Sequence, residues 1–491
     1  MNVFAPRLAG PPGGWHPAVR ERRRREALTY GLVGLLTLAG ALAIAVAVPK
    51  PNPVLTVAAA LGALGLLALT INPRYEVSLV LLALYLGLLD GPVKLLSASQ
   101  FASAIRDIMI LAIVLGMVVR AVVARERFRL PPLAGWVVAF VAVVLVEAVN
   151  PNTHGLLKTI GGFRQQLEWV PFFFFGYLAM RSTEHFRKLF LLLGVIALAN
   201  GIVGTYQSRL SPAQLASWGP GYGERVTGGG GLSGRTYSYE GVGHPRPPAL
   251  GSDSGFGGGV GVLALPGLLA LLATKRVRRR WFVMLCCVGA LLGIATSASR
   301  TAIVIALVML LSYALLVLSA RLRATRPLMV LGAIVLLALP VGAALLASEG
   351  KGVFSRYESI VGSKQPGGPG NDDKEGELLQ IPRDVALAPF GVGLATYGSA
   401  AGFGGHEKVT IEGLGASGEA AYNLVTLELG LPGLLLWVGL TLNVIALALR
   451  RLRLIADREL RTYLVAVFAA FIAFTVQGLS GPTLAVTPAG T

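Results

Sequence analysis

Four arginines stand apart from the other basic residues of this chain, each beside small residues where an apolar stretch begins or ends. Arg164 lies in GGFRQQLEWVPFFFFGY, Arg246 in HPRPPALGSDSGFGGG, Arg300 in TSASRTAIV and Arg356 in FSRYES. A guanidinium is always charged, and its planar fork of donors matches phosphate oxygens two at a time. Held at or inside an apolar layer it is costly, so it is kept where it has a partner or a function. Helix starts add free N–H groups and partial positive charge, a combination that attracts anions. Together the four arginines predict a diphosphate site. The competing reading is that each reaches out to lipid headgroups or pairs with a nearby acid. Arg300 is the sharpest case, because the turn around it is too short to carry it far from the apolar layer.

Proton chemistry has fewer candidates. The run ASGEAAYNLVTLELGLPGLLLW, residues 416–437, starts polar and continues apolar, with Gly430 and Pro432-Gly433 as breaks. Glu419 is placed to accept a proton from an incoming hydroxyl; alternatively it caps the helix that follows. Tyr422 and Asn423 stand at the start of that helix, and Asn423 and Glu428 are polar groups that need partners in an apolar setting. Histidine titrates near neutrality, which makes His406 and His244 candidates, since each lies in a loop joined to an arginine-bearing segment. A surface role is the ordinary alternative for any single histidine. No metal is expected: Asp253 and Asp384 belong to no paired-carboxylate motif, and no Cys/His metal spacing exists. Cys286 and Cys287 are adjacent inside an apolar run and read as packing. The Gly-rich tracts lack P-loop spacing, so no nucleotide or other cofactor is expected.

The elements that must position these residues are apolar spans. Of 491 residues, 54% are hydrophobic and 14% charged, against about 25% charged in a soluble domain. Runs of about 18 or more apolar residues recur along the chain. Seven short basic clusters punctuate them: Arg20 to Arg25, Arg74, Arg120 to Arg129, Arg181 to Lys188, Lys275 to Arg280, Arg321 to Arg326 and Arg450 to Arg461. Each falls on the same side of the alternating series, the positive-inside pattern. The net charge of +18 is concentrated there, the rest of the chain is close to neutral, and nucleic-acid binding is excluded on that ground.

The pattern predicts an all-α, polytopic membrane protein with about 12–14 spans. Helices are expected near 28–48, 54–71, 76–89, 107–124, 131–149, 166–180, 187–207, 256–274, 281–297, 301–319, 327–347, 421–449 and 462–480, with 93–105 as a re-entrant or interfacial piece. The expected divisions are a basic cytoplasmic tail at 1–27, an N-terminal bundle at 28–207 and a Gly/Ser/Pro-rich outer loop at 208–255. Central helices at 256–347, a large outer loop at 348–420, C-terminal helices at 421–480 and a short tail at 481–491 follow. The first apolar run reads as a retained helix rather than a cleaved signal peptide. The N-terminus is then cytoplasmic and the C-terminus outside. Every turn on the basic side is short. The opposite face carries 150–165, 208–255, the 296–301 turn and 348–420, and loops longer than about 15 residues are usually functional or disordered. The chemistry is therefore expected on that outer face.

The order SDSGFGGGVGVLALP, TSASRTAIVIAL, a large outer loop with PFGVGLATYG, and AYNLVTLELGLPGLLLW resembles the O-antigen ligase and O-antigen polymerase superfamily of bacterial envelope glycosyltransferases. The resemblance covers about residues 155–480, and its motifs are short. Most of its weight falls on SASR and on Glu428, Gly430 and Gly433. It implies an all-helical, C-type membrane transferase in the bacterial inner membrane, with its active site facing the periplasm or exterior. Such an enzyme takes a glycan from a polyprenyl-diphosphate carrier without a metal. The acceptor is a saccharide hydroxyl on a growing glycan or on lipid A core, and a chain-length regulator is an implied partner of a polymerase. By motif, Arg300 and Arg246 best match the family's diphosphate-binding arginines, with Arg164 beside them. Many members carry His immediately before the Asn of the last motif; here that position is Tyr422. This departure, with the extended 208–255 segment, tilts the reading toward polymerase over ligase. In the mechanism that follows, the arginines stabilise the departing diphosphate, Glu419 or His406 removes the acceptor's proton, and the anomeric centre inverts. A transporter or flippase of lipid-linked oligosaccharide or of a small anion is the alternative of another class. It would need polar residues spread along the spans, whereas here they gather near the outer ends. A purely structural membrane protein leaves the outer arginines without a role.

Overall fold

In the computed structural model the described residues are 65, 70, 75–97, 100–123, 130–227, 236–239, 242–253, 255–274, 279–320, 372–401, 414 and 420–479. The expected helices 28–48 and 327–347 and the two terminal tails lie outside them. The chain divides into two units, one of residues 1–78 and 107–129, the other of 79–106 and 130–491. In the first, Gly116 lies against Thr70, where a Cβ would fall 2.4 Å from the Thr70 carbonyl oxygen.

The elements in chain order begin with α1 (Tyr75–Leu84), which passes through a π-helical turn (Tyr85–Leu89) into α2 (Asp90–Ser97), then α3 (Gln100–Val123) and α4 (Ala134–Glu147). Next come α5 (Gly155–Leu167), α6 (Trp169–Ala179), α7 (Thr183–Gln207), α8 (Pro212–Ala216) and α9 (Pro220–Thr227). A hairpin of β1 (Thr236–Tyr239) and β2 (Val242–Pro245) precedes α10 (Phe256–Ala273), α11 (Arg280–Thr296) and α12 (Arg300–Ser319). The last are α13 (Asp372–Leu387), α14 (Ala421–Arg451) and α15 (Arg458–Gln477).

Six helices among the described residues are long and apolar enough to cross a membrane: Glu76–Leu96, Thr183–Gln207, Phe256–Ala273, Arg300–Ser319, Ala421–Leu454 and Arg458–Gln477. Three shorter apolar helices, α4, α6 and α11, accompany them. α12 shows why lipid is their solvent. Ile305, Met309, Tyr313 and Val317 form its buried stripe, while Leu307, Leu311, Leu315 and Leu318 are each more than half exposed. A helix that is apolar on its outward face as well belongs in a core or a bilayer. The chain is a helical membrane protein.

In the second unit, α7, α10, α11, α12 and α15 share one core, from Phe190 and Leu268 through Cys286 and Met309 to Ala469. Without a hydrophobic drive between helices in lipid, small residues let backbones close together. A Cβ on Gly201 of α7 would fall 2.1 Å from the Gly289 carbonyl oxygen of α11.

Described arginines of the last basic cluster hold one end of this core together. Arg453 Nε donates to the Ser319 carbonyl at 2.9 Å, and Arg461 donates to the carbonyls of Ala320 and Ile455. Tyr463 stacks edge-on against Phe190 and bonds beside Thr274. The end of α12, the end of α14 and the start of α15 therefore lie together, with Thr274 at the end of α10 and Phe190 near the start of α7 beside them. Arg453 and Arg461 take up the last carbonyls of α12, as cations near a C-terminus do. At the other end the Ala421 N–H, opening α14, donates to Gly478 O at 3.0 Å, closing α15.

Three segments read as loops are more ordered than their composition suggests. Most of 150–165 is α5, and 208–253 holds α8, α9 and the hairpin. In the last long segment, α13 begins at Asp372.

Candidate functional site

The two motifs PFGVGLATYG and ELGLPG form a single piece of structure. Gly430 interrupts α14 with φ 63° and ψ −160°, a left-handed conformation that glycine adopts without a Cβ penalty. The backbone groups freed by the break are taken up by the incoming loop. Leu431 N donates to Pro389 O at 2.8 Å, and Val392 N donates to Leu427 O at 2.9 Å. The approach is so close that a Cβ on Gly391 would fall 2.5 Å from Glu428 O.

Beside the break Glu428 is wholly buried. It accepts from Gln165 Nε2 at 2.9 Å, Gln166 Nε2 at 2.7 Å and the Tyr397 N–H at 3.3 Å. Gln165 also accepts from Ala400 N at 2.9 Å, and Thr153 Oγ1 from Leu394 N at 2.8 Å. Gly162 makes room for Leu394, whose Cβ lies 2.6 Å from where a Gly162 Cβ would be. α5, the 389–400 loop and α14 are thus fastened to one buried carboxyl group, and buried polar groups so satisfied act as a rigid unit. Asn423 Nδ2 donates to Asp384 Oδ2 of α13 at 3.2 Å, a structural partnership. Tyr422 is half-buried against the same apolar cluster as Val392 and Leu394. Burial, and after it the Asp384 carboxylate, raise the pKa of Tyr397, so its phenol keeps its proton at neutral pH.

The other face of α5 carries Arg164, and here cations gather. Lys94 of α2 pairs with Asp90 at 2.6 Å, and Arg106 of α3 pairs with Glu168 at 3.0 Å, all of them buried. Arg106 and Arg164 both lie near enough to Lys94 to act on it electrostatically. α9 packs on α2 through Gly221, where a Cβ would fall 2.8 Å from Leu95. It brings the buried Arg225, which pairs with Asp253 at 3.8 Å.

Arg246 begins the loop that closes this region. Gln207 bonds both backbone groups of Ala249, accepting at 2.7 Å and donating at 3.1 Å. Asn200 Oδ1 accepts from Leu250 N at 3.0 Å, while its amide donates to Gly87 O and Ile196 O. The loop is so tightly set against α2 that a Cβ on Gly91 would meet Gly251 at 2.2 Å.

Arg300 opens α12 after a three-residue turn in which Ala298 has φ 48° and Ser299 caps the helix by accepting from Ala302 N. A cation at a helix N-terminus is electrostatically opposed. The turn is near the Arg246 loop, since Gly204 of α7 lies against both Thr296 and Ala249. Arg164, Arg246 and Arg300 are among the described residues. Glu419, His406 and Arg356 lie outside those residues.

Sequence reasoning missed Lys94 and Arg106, in and just after the stretch expected to be re-entrant or interfacial, and Arg225 and Lys158, in segments expected on the outer face. The i,i+4 pairing of Asp90 with Lys94 was the available signal. Lys158 is the most unusual of them. It is fully buried on the face of α5 that holds Gly162 and Gln165, and its ammonium has no hydrogen bond among the described residues. An unbonded buried donor costs about 1–3 kcal/mol, so Lys158→Met is expected to raise the melting temperature of the detergent-solubilised protein. An unchanged or lower value would mean that the amine has a stabilising partner. Among the described residues no group of His, Cys, Asp and Glu could hold a metal ion. Comparison with protein-family models, with curated proteins and with solved structures gave no match to this chain.

Proposed function

We propose that this chain is a membrane glycosyltransferase that moves a glycan from a polyprenyl-diphosphate carrier to a saccharide hydroxyl at the face opposite the basic turns. The observation that carries this reading is the gathering of the buried Lys94, Arg106 and Arg225 and the half-buried Arg164 beside the fixed loop of Arg246. Several guanidinium groups held rigidly at the end of an apolar bundle suit a ligand with a diphosphate head and a long apolar tail.

In the proposed reaction the acceptor oxygen attacks the anomeric carbon and the bond from that carbon to the diphosphate oxygen breaks. The acceptor's proton goes to a base, for which Glu419 and His406 are the candidates, and the carrier leaves as its diphosphate. Developing negative charge on that leaving group is stabilised by Arg164, Arg246 and Arg300, with Arg356 as a further candidate. Preorganised donors of this kind act where charge grows, in a site with little water to reorganise. The acceptor is a growing glycan or lipid A core, and Tyr422 together with the long 208–255 segment tilts the reading toward polymerisation.

A transport reading is less well supported. Transporters use broken helices whose half-helix ends line a cavity, whereas the break at Gly430 is filled by Pro389 and Val392.

Glycan profiling of cells lacking the protein, complemented with wild type or Arg300→Ala, tests the proposal. Long surface polysaccharide is expected to disappear while lipid-linked units accumulate, with Arg300→Ala failing to rescue at normal membrane levels. Single-unit caps indicate a polymerase and bare core a ligase. An unchanged profile, or full rescue by Arg300→Ala, would bring transport to the front.

A further inference from the structure

At the basic end of the bundle, far along α14 from the candidate site, a cavity of about 480 Å³ opens between the start of α4, the end of α14 and the start of α15. That volume is within the range of ligand pockets, about 300–1,000 Å³. Its walls are apolar: Pro132, Ala448, Ile455, Leu464 and Phe468 are among them, and Arg451 is the one charged residue in the lining.

Arg451 differs from Arg453 and Arg461. Arg453 and Arg461 are committed to carbonyl oxygens of Ser319, Ala320 and Ile455. The nearby acids are also engaged, Asp457 in capping α15 and Glu459 with the Tyr463 hydroxyl at 2.9 Å. Arg451, like Arg450, is exposed and makes no hydrogen bond or ion pair among the described residues, but Arg451 lines the cavity. An apolar slot with an unengaged guanidinium at its mouth has the layout of one amphiphile, an acyl chain below a phosphate. It lies where a leaflet's headgroups would meet the bundle's basic turns, and basic pockets between membrane helices bind anionic lipid heads there.

We infer that this groove holds an anionic glycerophospholipid, one acyl chain along Ala448, Leu464 and Phe468 and the phosphate on Arg451. The inference rests on the membrane placement of the helices and is independent of the transferase reading.

Native mass spectrometry of the full chain in detergent, with phosphatidylglycerol and phosphatidylcholine of matched acyl chains, tests it. Wild type is expected to retain the anionic lipid preferentially. Arg451→Gln, an exposed change that leaves the core alone, should lower that preference about fivefold, the contribution of one arginine near a charged surface. Arg450→Gln, outside the groove lining, should leave the preference unchanged, and Ala448→Phe should reduce retention of both lipids. An Arg451→Gln protein with the wild-type preference would overturn the assignment. So would inorganic phosphate competing as well as the lipid, or a dimer without lipid that Ala448→Phe dissociates, which would give the groove to a second copy.

Discussion

Replacing Glu428 with alanine is expected to loosen the outer half of the bundle, and a lowered melting temperature in detergent should register it. The carboxyl group accepts from two glutamine amides and a backbone N–H, with no water access. Each buried donor left without an acceptor costs about 1–3 kcal/mol, so the loss from three donors is on the order of 3–9 kcal/mol before the new cavity is counted. The 389–398 loop should then become accessible to limited proteolysis, because Tyr397 loses its anchor. Glu428→Gln keeps the shape and one acceptor but turns an NH₂ toward existing donors, and is expected to fall between wild type and alanine. Wild-type melting in Glu428→Ala would mean that the fastening is not structural, and Glu428 would move to the list of groups that meet substrate.

This carboxyl group also marks where a single sequence stops being readable. The six long spans follow from hydropathy, and the break in α14 follows from Gly430 and Pro432. Glu428 was legible as a polar group in need of partners, but those partners lie some 260 residues away in the chain. Periodicity within one helix carries no information about contacts of that separation. α5 was lost for a related reason. Lys158, Gln165 and Gln166 make its segment look like an aqueous loop, yet these residues point inward. In a membrane protein inward-facing can be polar and outward-facing apolar, which inverts the usual pattern. For the same reason Arg164 was visible as an isolated cation while its neighbours Lys94 and Arg106, in and just after a stretch read as re-entrant, were not.

Those neighbours make the second large effect a comparison between two arginines of one cluster. Arg106 has a buried acid as its partner, and removing one member of a buried pair strands the other at a cost of about 3–5 kcal/mol. Arg106→Met should therefore lower the melting temperature, whatever it does to activity. Arg164 is half-buried on α5 facing that cluster, and in the proposed reaction it meets the leaving diphosphate. Losing one preorganised donor of this kind costs about 2.7–4 kcal/mol of transition-state stabilisation, or roughly 10²–10³ in rate. Arg164→Ala is accordingly expected to cut transfer from a synthetic polyprenyl-diphosphate oligosaccharide by that factor in proteoliposomes, with melting close to wild type. Arg164→Lys, which keeps the charge but not the fork, should recover part of the rate. Should Arg164→Ala instead turn over within tenfold of wild type, the diphosphate must be held by Arg246 and Arg300 alone. Should its melting temperature fall as far as that of Arg106→Met, Arg164 is part of the scaffold.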